Sequence, residues 1–103
     1  MRYFVFADVH ANLEALKAIL SVLKRERVDQ SLFLGDLVGY GAQPNETIEL
    51  LRTIKLHVAV CGTHDRIVVD NAPAIDFQTH ARYSILWTRQ QVTSGNKEFL
   101  QYF

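Results

Sequence analysis

Leu32-Phe33-Leu34-Gly35-Asp36-Leu37-Val38-Gly39-Tyr40-Gly41 drives a short apolar run straight into a carboxylate, with two more glycines close behind. A carboxylate at the end of a buried run is costly unless a cation or a hydrogen-bond donor meets it. Two similar junctions flank this one. Tyr3-Phe4-Val5-Phe6-Ala7 runs into Asp8-Val9-His10, and Val58-Ala59-Val60-Cys61 runs into Gly62-Thr63-His64-Asp65. Three apolar runs therefore each end in Asp or His, at intervals of about 28 residues.

The segments between them read as helices. Leu13, Leu16, Ile19, Leu20 and Leu23 recur at helical spacing behind Asn12, a good N-cap, and Lys24-Arg25 sit in the last turn. This predicts a helix over 13–26. Pro44 suits a first turn, and Ile48, Leu51 and Ile54 give a second helix over 44–54 its apolar stripe. Strands are expected at Tyr3–Ala7, continuously apolar and so read as buried on both faces, at Ser31–Leu34 and at His57–Cys61. Strand, helix, strand, helix, strand with short connectors is the pattern of a parallel α/β sheet with right-handed crossovers. Beyond Asp65, residues 68–74 with Asn71 and Pro73 suggest a loop or short excursion. Residues 78–91 look helical, with Tyr83, Leu86, Trp87 and Gln90 on one face. Ser94 could cap a final helix carrying Phe99, Leu100, Tyr102 and Phe103.

Bulk properties narrow the class of function. A chain of 103 residues is one domain, 1–103, and Lys plus Arg (11) balances Asp plus Glu (11), so no nucleic-acid or polyanion partner is expected from charge. The single cysteine, Cys61, allows no intrachain disulfide, and no run approaches the ~20 apolar residues of a membrane span. The first apolar run meets Asp8 at once, unlike a signal peptide. A cytoplasmic location is the expectation. Three strands are few for an α/β domain, so an open edge and an uncovered face would need protection, by a second copy or by further chain.

In parallel α/β sheets the carboxyl ends of the strands share one rim, where ligands bind. That rim would gather Asp8, His10, Asp36, Thr63, His64 and Asp65. Carboxylates with imidazoles form a mixed O/N donor set suited to Mn, Fe, Zn, Ni or Co. Without a cation, two carboxylates ~4 Å apart repel by about 4 kcal/mol at an effective dielectric near 20. The chemistry such a cluster supports is metal-assisted hydrolysis. Asp65 is expected to orient an imidazole or cap the next turn, His57 and His80 to be structural, and Cys61 to be a small buried hydrophobe. Tyr40 is either a pocket wall or an exposed turn aromatic.

Asp8-x-His10, Gly35-Asp36 and Gly62-Thr63-His64-Asp65, in that order and each behind a strand, resemble the opening blocks of the calcineurin-like metallophosphoesterases. Asn12 to Leu16, Gly35 to Gly41, Pro44-Asn45-Glu46 and Trp87-Thr88-Arg89 resemble their small prokaryotic phosphodiesterase branch. The resemblance implies the N-terminal half of a four-layer αββα sandwich. It assigns Asp8 and His10 to a first metal, Asp36 to a bridge between two metals, and His64 to a place beside the phosphate as proton donor or electrostatic stabiliser. Thr63 stands where the family carries Asn, whose amide oxygen binds the second metal; Thr offers a shorter hydroxyl. The family's later His and its G-H-x-H block have no counterpart in these 103 residues. The implied activity is hydrolysis of a small-molecule phosphomonoester or phosphodiester by a metal-activated water, in a truncated form of impaired activity that supports at most one ion with assurance. The alternative is a non-catalytic, degenerate or truncated member that binds an ion or a phosphate ligand, alone or as a homo-oligomer covering the open edge. A phospho-receiver is disfavoured, since it needs an acidic pair where Asp8-Val9-His10 stands.

Overall fold

In the computed structural model, which describes residues 1–70, 73–75 and 77–103, the three apolar runs become one parallel sheet. Strands β1 (Tyr3–Phe6), β2 (Gln30–Phe33) and β3 (Val58–Ala59) lie in the order β1-β2-β3. Phe4 pairs with Ser31, and Phe6 with Phe33, which in turn pairs with Ala59. Helices α1 (Leu13–Arg25) and α2 (Pro44–Arg52) make the two crossovers. Helices α3 (Thr63–Asp70), α4 (Thr79–Gln91) and α5 (Ser94–Gln101) follow.

The local chemistry explains where the crossovers begin. Asn12 Oδ1 accepts the Ala15 N–H at 3.0 Å and so caps α1, while Pro44 occupies the first turn of α2, where its missing N–H costs nothing. An unreversed strand order joined by crossovers of one hand delivers the helices to one face of the sheet. The core accordingly forms there, from Phe6, Leu16, Leu20, Phe33, Leu37, Val38, Ile48, Leu51, Val68 and Leu100. Fully buried side chains such as Phe33 and Ile48 each contribute roughly 1.5–3 kcal/mol. The C-terminal aromatics join this core: Phe103 packs edge-on to Phe33 at 5.8 Å and to Phe99 at 5.0 Å.

Five expectations are corrected. β1 is buried on one face only, for Phe6 is inside while Tyr3 and Val5 are more than half exposed. A continuous apolar run does not reveal that only one side is covered. β3 pairs over two residues instead of five, although Val60 N–H still donates to Phe33 O at 3.0 Å. Residues up to Asp70 in the stretch read as a loop are helical, and Val68 is buried there; Asn71 lies outside the described residues. The buried face of α4 is Ala81, Ile85 and Thr88, leaving Tyr83, Leu86 and Trp87 exposed. The cap of α5 is Thr93, one residue earlier than expected; its hydroxyl accepts the Asn96 N–H at 3.3 Å.

Candidate metal centre

The loop after β1 is laced to the loop after β2 by main-chain bonds. Asp8 N–H donates to Gly35 O, His10 N–H to Asp36 O and Ala11 N–H to Leu37 O, at 3.0, 3.0 and 2.7 Å. This lacing forces unusual backbone conformations: Asp8, His10, Ala11, Asp36 and Tyr40 all have positive φ, between 50° and 62°. Left-handed non-glycine residues cost about 1–3 kcal/mol each and gather where a site over-determines them. Here they turn Asp8, His10 and Asp36 into one space, with a potential ligand atom of each within 4.8 Å of the others.

The donor set fits a divalent transition ion. His10 Nδ1 lies 3.1 Å from Val38 O, a contact that holds the proton on Nδ1 and leaves the Nε2 lone pair for a metal. Nε2 stands 3.6 Å from Asp8 Oδ1, close to the ~3.4 Å between two tetrahedral ligands bonded at about 2.1 Å. Asp36 Oδ1 accepts the His64 N–H at 3.1 Å, which aims its carboxylate. Gly62 is required beside it, because a Cβ there would overlap Asp36 Oδ1.

His64 belongs to the same cluster by its ring. The imidazole lies 4.9 Å from His10, 4.9 Å from Tyr40 and 5.1 Å from Phe77, centroid to centroid. Burial holds its pKa below the usual histidine range, against the pull of Asp36. Its Nδ1 is buried and has no hydrogen-bond partner among the described residues, pressed against the bare Cα of Gly39, which leaves Nε2 for proton exchange. Thr63, the first residue of α3, is exposed next to His64.

Sequence reasoning missed two contributors. Val38 supplies the carbonyl that orients His10. Asp65, fully buried, caps the start of α3 as expected by accepting the Gly62 N–H; the bonds it also accepts from the Leu37 and Val38 N–H groups were not anticipated. The signal for Asp65 was the acid itself, placed four residues after Cys61, the end of the expected third strand. Tyr40, 57% exposed, lines an open cavity of about 520 Å³ together with Asp8, His10, Asn12 and Gln43. It is thus both a pocket wall and an exposed turn aromatic. His57 is structural as expected, its Nδ1 accepting the Ser31 N–H at 3.1 Å.

The carboxylate–imidazole trio stands at the carboxyl rim of a parallel sheet, where such sheets bind their ligands. The sequence profile of the calcineurin-like phosphoesterases matches residues 1–102, and the chain belongs to that family. An uncharacterised protein of Methanocaldococcus jannaschii is 40% identical over 96 residues, 93% of this chain and 39% of the relative. The crystal structure of a metallophosphoesterase from Sphaerobacter thermophilus is 39% identical with a TM-score of 0.76, covering 98% of this chain and 40% of that one. A hypothetical protein of Pyrococcus horikoshii superposes with a TM-score of 0.84 at 21% identity, over 98% of this chain and 47% of that one, and speaks for the fold alone. The chain thus spans about 40% of the length of these first two relatives.

Proposed function

We propose that this protein hydrolyses a small-molecule phosphomonoester or phosphodiester with the help of a divalent transition ion held by Asp8, His10 and Asp36. The convergence of these three side chains within 4.8 Å carries the reading. A bound ion supplies a nucleophile at neutral pH and offsets charge on a phosphoryl oxygen. Asp36 directs one oxygen to the His64 N–H and keeps the other for the ion; His10 keeps Nε2 free by binding Val38 O. His64, mostly neutral at pH 7 in the free site, acts at the phosphate through Nε2, and an approaching phosphate anion favours its protonated, donating form. Thr63, adjacent and exposed, supplies a hydroxyl toward a second ion only weakly, so this chain binds one ion firmly.

The test combines metal analysis with turnover. Purified protein should carry about one Mn or Co per chain after loading, and should hydrolyse bis(p-nitrophenyl) phosphate. Asp36→Asn should cut both, with turnover reduced by about 100-fold or more, as expected when an ion's ligand is removed. Hydrolysis unchanged in Asp36→Asn would remove the trio from the mechanism. A second reading, binding of an ion or phosphate without turnover, rests on Thr63 in place of an amide ligand. Stoichiometric metal with no hydrolysis of mono- or diesters would select it.

A further inference from the structure

The three strand-end loops that make the site are not joined in the same way. Main-chain bonds lace the loop after β1 to the loop after β2, as described above. Between the loop after β2 and the start of α3, the ladder ends at Val60 N–H to Phe33 O. Beyond that point, among the described residues, carboxylates make the connections. Asp36 Oδ1 takes the His64 N–H, and Asp65 does the rest. Asp65 Oδ1 accepts from Leu37 N–H at 2.9 Å and Val38 N–H at 3.0 Å, and Oδ2 accepts from Gly62 N–H at 3.1 Å.

We propose that Asp65 is a positioning residue for the metal site: its carboxylate ties the Asp36 loop to the α3 junction and so fixes both Asp36 and His10. The reasoning follows the bonds. Leu37 and Val38 directly follow Asp36, so pinning their N–H groups pins the carboxylate that precedes them. Val38 also presents the carbonyl that holds His10 Nδ1. One buried side chain thus governs two of the three ligands without touching an ion. Its side chain is fully enclosed, so no water stands ready to replace a lost oxygen. Asparagine has nearly the same shape but one acceptor oxygen fewer. In Asp65→Asn the amide N–H₂ must face either Gly62 N–H or the Leu37 and Val38 pair, and the tie opens on that side.

The proposal rests on the metal reading above, and the test separates the two. Co(II) affinity and the visible absorption of bound Co(II) are measured for the wild type, Asp65→Asn and Asn96→Ala. Asn96 is buried in α5, where it bonds Asn45 and Arg52 away from the trio, so its variant reports general destabilisation. Asp65→Asn should bind Co(II) 10–100-fold more weakly, with an altered spectrum, while remaining folded by circular dichroism. Asn96→Ala should keep the wild-type affinity and spectrum. Equal affinity in Asp65→Asn and wild type, or the same loss in both variants, overturns the proposal. Should Asp65→Asn not fold, amide exchange in the metal-free wild type decides: Leu37, Val38 and Gly62 must be protected and open at one common rate. Fast or independent exchange at these amides overturns the tie. A wild type that binds no Co(II) while Asp65→Asn frees those amides sinks the phosphoesterase reading and supports the tie.

Discussion

Asp65 combines complete burial with three main-chain donors, and its protonation records the contest. Burial pushes its pKa up to about 6, although the N–H groups of Val38, Gly62 and Leu37 pull the other way. The unfolded carboxyl titrates near 3.9, so between about pH 4 and pH 6 the folded chain holds a proton that the unfolded chain has released. Stability from this group is therefore complete below about pH 4 and lost as pH rises toward 6, a change of roughly 3 kcal/mol at most. His64 works in the opposite sense: its lowered pKa means that stability falls as pH drops below the ordinary histidine value. The two can be separated by difference, since His64 contributes to both wild type and Asp65→Asn. Urea denaturation of the metal-free proteins at pH 4.5 and pH 7 should show the wild type losing stability over that range relative to the variant. Parallel curves would mean that the Asp65 carboxyl is not raised in the fold.

At the scale of elements, a polar seam between α2 and the C-terminal helices adds to the side-chain burial that docks them. Asn45 Nδ2 donates to Gln91 O at 2.8 Å, while its Oδ1 accepts from Thr93 N–H at 3.0 Å and Asn96 Nδ2 at 2.9 Å. Asn45→Ala strands these partners and should cost about 1–3 kcal/mol in thermal or chemical unfolding, with metal affinity unchanged. A loss of metal affinity in that variant would show that the seam reaches the site. How far such elements were legible depended on what each segment's residues had to satisfy. The Asn12 cap, the Leu16–Leu20 stripe and the Pro44 start are local features, and the structure has them. That Asp8, His10 and Asp36 would converge was legible because each follows a strand whose carboxyl end lies on the same rim. α3 was not, because it opens on the residues of the third junction and carries the β-branched Ile67-Val68-Val69, which weakly favour strand. Nor was the buried side of α4, since its helical spacing also fits an aromatic stripe that ends up in solvent. The role of Asp65 depends on main-chain groups 27 and 28 residues away, which no local pattern encodes.

Seen whole, the molecule has its helices on one side of a three-stranded sheet and an apolar surface on the other. Tyr3, Val5, Leu34, Val58 and Val60 are each between 43% and 56% exposed, and the formal net charge is zero. Such a surface with little charge repulsion favours contact between copies of the 103-residue chain. Sedimentation equilibrium should show association rising with concentration, and Val5→Lys with Val58→Lys should reduce it. An unaffected monomer in both proteins would assign that face no role between copies. The short pairing of β3 has a consequence for the order in which this fold lets go. Two ladder residues hold β3, against four for β1. The third strand and the Gly62–Asp65 turn should therefore open in fluctuations that leave β1, β2 and α1 closed. In native-state hydrogen exchange, the Val60 amide, which donates to Phe33 O, should exchange well before the Leu34 amide, which donates to Phe6 O. Each such excursion releases Asp36 and withdraws His64 together, so the lifetime of an ion in the site would be set by the unzipping of a strand only two residues long.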